Sequence, residues 1–173
     1  MRLGSYVASA VSELNKNDIF AGKTNIQKVV YFALPAELRK EFYRPYHYGP
    51  YCAEVQQAVS ALLKREILSK SGKGFSLADN RTLNQETDPV IDRIKVTIDF
   101  FYKNSLTGAD DIATLAKAHL LSRSEREDAK QNPVAYIQSQ AKFLGWKELS
   151  GEDPEKIQAY LHLANNLDKA LEV

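Results

Sequence analysis

Along most of this chain apolar residues recur at steps of three and four, the period of an amphipathic helix, and in one short stretch they do not. Leu3, Val7, Ala10, Val11 and Leu14 lay out the first stripe, which Asn15-Lys16-Asn17-Asp18 ends with turn-forming residues. Thr24 then stands three residues before Gln27, the spacing of a capping box, in which the hydroxyl takes one orphan amide and the Gln side chain returns to the cap amide. A second helix is expected from there, burying Ile26, Val29, Val30 and Ala33. Pro35 interrupts it. Residues 36–41 are expected to form a short helical turn before the chain straightens through Phe42-Tyr43-Arg44-Pro45.

Tyr46-His47-Tyr48-Gly49-Pro50-Tyr51 carries aromatic residues into a Gly-Pro corner, and a regular stripe follows at Tyr51, Val55, Ala58, Val59, Leu62 and Leu63. Pro50 is placed at the start of that helix, over residues 51–65. The rhythm then changes: Ile67-Leu68-Ser69-Lys70, Ser71-Gly72-Lys73-Gly74 and Phe75-Ser76-Leu77 read as strand, tight turn and strand. Helix followed by hairpin is the layout of a winged helix.

After a polar linker over residues 79–87, three helix starts share one device. Asp88-Pro89, Asn132-Pro133 and Asp153-Pro154 each put a capping residue before a proline suited to the first helical position. Stripes follow at Ile91, Ile94, Ile98 and Phe101, at Val134, Ile137, Ala141 and Leu144, and at Ile157, Leu161, Ala164, Leu167 and Leu171. Another helix, over residues 110–121, carries Ile112, Leu115, Ala116 and His119, and the charged residues 122–132 are expected to be a loop or a frayed helix end. Nothing from 89 to 172 alternates with the period of two that a half-buried strand needs, so only helices are expected there. The predicted architecture is mainly α with a small β-hairpin: a winged-helix-like core over 1–78 and a helical extension over 88–173. So short a linker lets the extension pack on the core as one compact domain.

At 173 residues and 44% apolar composition the chain has ample material for a packed core. A single cysteine, Cys52, excludes an internal disulfide framework and a cysteine-built zinc site, which fits a reducing, cytoplasmic setting. No apolar run approaches the length that spans a bilayer, and no signal-like h-region follows the N-terminus, so neither secretion nor a membrane partner is expected. The net charge of +1 conceals an asymmetry. Residues 1–78 hold 11 basic and 6 acidic side chains, and the remainder holds 12 and 16. Such a split is usual for solvated helix faces, and it also suits an N-terminal part that meets an anionic partner.

The catalytic signals dissolve on inspection. Gly22-Lys23-Thr24 has the end of a phosphate-binding loop, yet Asn17 stands where that loop needs its first glycine. His47 and Cys52 lack a third group to complete an activated thiol. His119 and His162 have no companion at metal-ligand spacing and are expected at a boundary or surface. Adjacent Asp110 and Asp111 suit the first turn of a helix, where acids favour the positive end of the dipole. Tyr31, Phe32, Tyr43, Tyr46, Tyr48 and Tyr51 are expected to form the core around the Gly-Pro corner rather than to stack on bases. No cofactor or metal is expected.

Binding chemistry remains. With Val55, Val59, Leu62 and Leu63 inward, Gln56, Gln57, Ser60 and Lys64 face solvent; Gln pairs with adenine, Lys with guanine or phosphate, and Lys70 and Lys73 in the hairpin extend the reach. The face is thinly charged, since Glu54 and Glu66 offset Lys64 and Arg65, and it serves equally as a protein-docking surface.

Thr24-Asn25-Ile26-Gln27-Lys28-Val29-Val30-Tyr31-Phe32, the aromatic Gly-Pro corner, Glu54-Val55 and Leu62-Leu63-Lys64-Arg65-Glu66-Ile67 resemble the Panacea-like group, bacterial, archaeal and phage-associated proteins with a winged-helix-like core. The resemblance covers residues 5–78, and Asp111-Ile112-Ala113-Thr114-Leu115 is similar to a helical segment often found after that core. Some members act as antitoxins or proteolytic adaptors. The resemblance thus implies a non-enzymatic binding or regulatory module with a protein partner, a toxin or client. DNA binding is the alternative. An enzyme is the third reading, and its mark would be a pocket in which His47, Cys52 or the tyrosines converge.

Overall fold

Two helices are buried on every side, and the others are arranged around them. Helix α2 (Lys23–Ala33) has no exposed residue from 25 to 33, and helix α6 (Ala109–Ser122) has none from 112 to 119. A helix without a solvent face belongs at the centre of a fold. A computed structural model describes residues 3–78, 88–151 and 153–172; the linker expected over 79–87 lies outside the described residues.

The chain is mostly helical, with two separate antiparallel strand pairs. Helix α1 (Leu3–Lys16) precedes α2, and the short α3 (Ala36–Phe42) follows it. Strands β1 (Arg44–Tyr46) and β2 (Gly49–Tyr51) form one hairpin, helix α4 (Ala53–Lys64) comes next, and β3 (Leu68–Ser71) and β4 (Gly74–Leu77) form the second. Helix α5 (Pro89–Lys103) leads into α6, then α7 (Glu127–Gln131), α8 (Pro133–Leu144), α9 (Lys147–Ser150) and α10 (Pro154–Leu171). Among the described residues no helix is long and apolar enough to cross a membrane.

Local chemistry accounts for most of these boundaries. The Asp88 carboxylate accepts from the amide of Val90 at 2.8 Å, and the Asn132 side chain accepts from that of Ala135 at 3.1 Å. Asp153 takes the amides of Glu155 and Lys156 at 3.1 and 3.2 Å. Each cap is worth about 1 kcal/mol. Helix α4 buries Val55, Val59 and Leu62, and the β3–β4 register pairs Ser71 with Gly74 across the expected turn. The main hydrophobic cluster runs from Tyr6 on α1 to Leu171 on α10, and a second one gathers Ile137, Trp146, Leu149, Ile157 and Leu161 beneath α6.

Three expectations need correction. Pro50 does not open α4. It lies in β2 opposite Pro45, because Gly49 at φ +92° turns the chain back after His47 and Tyr48, and α4 begins two residues beyond Tyr51. No capping box forms at Thr24: Gly22 precedes α2 without a side-chain cap, and Gln27 is occupied elsewhere. Finally, residues 127–131, within the expected loop or frayed end, form a helix of their own, α7.

Candidate functional site

The outward face of α4 holds its polar residues as the spacing requires. Gln57, Ser60 and Lys64 are exposed and Gln56 is half-buried; the Ser60 hydroxyl donates back to the Gln56 carbonyl at 3.2 Å and keeps its acceptor lone pairs toward solvent. Lys70 and Lys73 are exposed on the β3–β4 hairpin. Among the described residues Lys64, Lys70 and Lys73 form no ion pair, which leaves their charges available.

The β1–β2 hairpin is held from beneath by polar side chains of α2 and by Trp146 at the start of α9. Gln27 brackets Cys52, donating to its carbonyl at 2.8 Å and accepting from its amide at 3.1 Å. Lys28 donates to the Pro50 carbonyl at 2.8 Å, the Trp146 indole donates to the Tyr46 carbonyl at 3.0 Å, and Tyr43 donates to the Gln27 carbonyl at 3.0 Å. Pro45 and Pro50 face each other as a non-hydrogen-bonded pair, so the Pro50 carbonyl points away from β1 and takes its donor from Lys28. Burial, and after it the charge of Lys117, brings the Lys28 ammonium down to about 7. Lys117 pairs with Glu148 and lies 5.3 Å from the centre of the Trp146 ring. A Cβ on Gly49 would come within 2.9 Å of Lys117 Cγ, so the close approach also requires glycine.

The tip of this hairpin is open. Tyr46 is 54% exposed and Tyr48 66%, with His47 exposed between them, so these tyrosines lie outside the core expected for them; Tyr31, Phe32 and Tyr43 are inside it. The clamp bonds backbone groups of the hairpin, and the rings of Tyr46 on β1 and Tyr48 in the turn are left toward solvent. Cys52 is buried, its thiol donates to Glu54 at 3.2 Å, and burial foremost pushes that thiol up. A thiol held protonated and covered is a poor nucleophile, and no hydrogen bond joins it to His47. Among the described residues no cluster of three metal-ligating side chains occurs.

His119 is not at a surface. It is 1% exposed and stands at the centre of a polar chain joining α2, α6 and α10. Its Nε2 lies 3.1 and 3.2 Å from the Asp168 carboxylate oxygens, so that nitrogen carries the proton, and Nδ1 accepts from the Tyr31 hydroxyl at 2.7 Å. Burial lowers the imidazole to about 4, against the pull of Asp168, and the ring is neutral at pH 7. Burial works to raise Asp168, but the His119 hydrogen bond and the charges of Arg123 and Arg39 override it and hold the carboxyl at about 2. Tyr31 is pushed above the usual phenol range, chiefly by burial. Every group in the chain is thus fixed in one protonation state at pH 7.

This chain forms one wall of a cavity of about 430 Å³. Arg39, Arg93 and Arg123 converge on it with Lys40, against Asp168 and Glu172, while Ala36, Leu120 and Tyr43 add apolar surface. Sequence reasoning placed no function on Arg39, Arg93, His119, Arg123 or Asp168. The available signal was His119 itself, a polar residue on the same stripe as Ile112, Leu115 and Ala116.

The fold and these sites define a mainly helical protein with two small hairpins, a clamped aromatic tip and a basic cavity. Comparison with known proteins finds no matching family model, no similar curated protein and no similar solved structure.

Proposed function

We propose that this chain is a non-enzymatic, winged-helix-like binding and regulatory module that docks a protein partner, in the manner of an antitoxin or adaptor. The observation that carries the reading is the pair of exposed tyrosines, Tyr46 and Tyr48, on a hairpin whose backbone is fixed by Gln27, Lys28 and Trp146. Large aromatic side chains dominate the energetics of protein interfaces, and a backbone ordered in advance loses little entropy on binding. The order of α4 and the β3–β4 hairpin and the Panacea-like residue pattern support the same reading. So does the way those residues meet: the lysine of the patterned helix, Lys28, bonds the proline of the Gly-Pro corner.

DNA is the second reading, supported by the free charges of Lys64, Lys70 and Lys73 beside Gln57 and Ser60. One pair of variants separates the two. Complexes isolated from the native host with the Tyr46→Ala/Tyr48→Ala protein should lack a partner that wild type and Lys70→Ala/Lys73→Ala both retain. Duplex binding by wild type should stay at background in an anisotropy titration at about 50 mM salt, where non-specific contacts are strong. Salt-sensitive duplex binding that the lysine variant loses, with no partner lost by the tyrosine variant, would reverse the order of the readings.

A further inference from the structure

We propose that the cavity between α2, α3, α5, α6 and α10 binds a small oxyanion, a carboxylate or phosphate carried on a compact, partly apolar body. At about 430 Å³ it falls within the size of small-molecule sites, roughly 300–1,000 Å³. Four cationic side chains line it against two carboxylates. Their engagements are unequal. Arg93 donates to the backbone carbonyls of Ala33 and Leu171 at 2.7 and 2.6 Å, Lys40 pairs with Glu125, and Arg123 pairs with Asp168 and with Asn165 at 3.1 Å.

Arg39 is the exception. Its side chain is 13% exposed, its guanidinium carbon lies 5.7 Å from the centre of the Tyr31 ring, and its nearest carboxylate oxygen, on Asp168, is 3.6 Å away. Its Nη1 lies 3.2 Å from His119 Nε2, a nitrogen that already donates to Asp168 and has no lone pair to offer. Nε and Nη2 make no hydrogen bond among the described residues. Neither nitrogen is among the fully buried unpartnered atoms, so both face the cavity, where an acceptor carried on a ligand can reach them. The planar fork suits a bidentate oxyanion: Asp168, hydrogen-bonded to His119 and Arg123, meets Arg39 only through Nη1 at 3.6 Å, and Nε and Nη2 are left for a ligand. Charge crowding points the same way: burial first and Arg39 second lower the hold of Arg93 on its proton, and an anion between them would relieve that repulsion. Ala36, Leu120 and the Tyr43 ring give the ligand body an apolar seat.

This site goes beyond the docking reading, since neither hairpin tyrosine lines the cavity and the two tests fail separately. Calorimetric titration of the intact protein with benzoate and with phenyl phosphate tests it, with benzyl alcohol as neutral counterpart and sodium chloride at matched ionic strength. At least one anion should bind saturably, with benzyl alcohol and chloride silent. Arg39→Gln should weaken that binding by at least about tenfold. Arg39→Lys, which keeps the charge and loses the fork, should fall between, and it stands in if the Gln variant does not fold. Absence of saturable binding by both anions, a response that chloride reproduces, or unchanged affinity in the Arg39 variants would overturn the proposal.

Discussion

Lys28 and Lys64 are both lysines on helices, and they show how differently the inside and the outside of this molecule use one side chain. Lys28 is 2% exposed, bonded to the Pro50 carbonyl, and brought down to about 7 by burial and Lys117. Lys64 stands in solvent at the end of α4 with no ion pair among the described residues. The same contrast separates Gln27, which brackets Cys52, from Gln57, which faces water. Residue type tells what a group is able to bond. Its depth decides whether it holds the fold together or is free to meet something else, because a buried polar group must find a partner inside the protein.

The sharpest way to break this contrast is to remove the anchor of the inner clamp. Trp146 is among the largest fully buried side chains, and Trp146→Ala should cost about 3–5 kcal/mol of stability in chemical denaturation. The tryptophan also supplies the Tyr46 carbonyl with its donor, so the loss should be accompanied by weaker protection of the β1–β2 hairpin in hydrogen exchange. An effect below about 1 kcal/mol, the size of an ordinary surface change, would mean that the clamp is not rigid.

Acid sharpens it next. The imidazole of His119 takes up a proton near 4 in the fold and near 6.5 when unfolded, so between these values the unfolded chain binds more protons. Stability therefore rises with pH across that window and is lost as pH falls from about 6.5 toward 4, by on the order of 2–3 kcal/mol. Asp168, lowered from 3.8 to about 2, adds a further loss only as pH falls through that lower range. Denaturation curves across this range should show the slope in wild type, and His119→Gln should remove most of its upper part. A variant with the wild-type slope would place the titrating group elsewhere.

The smallest effects belong to the outer face. Gln57→Ala, Lys64→Ala and Lys70→Ala should each change stability by no more than about 0.5 kcal/mol, since they remove no buried contact. Thermal melts that show larger losses would mean that this face carries packing as well as chemistry.

The helices that begin at Asp88-Pro89, Asn132-Pro133 and Asp153-Pro154, the stripe of α4 and the turn between β3 and β4 were legible in the sequence. A cap bonds an amide two or three residues away, and a stripe needs only the helical period, so both are written in neighbouring residues. The partners of the polar residues were not written there. Gln27 meets Cys52, His119 meets Tyr31 and Asp168, and Trp146 meets Tyr46, across separations of 25, 88, 49 and 100 residues. Periodicity shows which side of a helix is apolar, but it is silent on which helix will cover that side. The sequence therefore determined most of the helices, the β3–β4 hairpin and the outward polar face of α4, but not the β1–β2 hairpin or α7. Only the packing of α2 and α6 at the centre decided that Lys28 and Gln27 would serve the hairpin, that Tyr46 and Tyr48 would be left outside, and that Arg39, Arg93 and Arg123 would share one cavity.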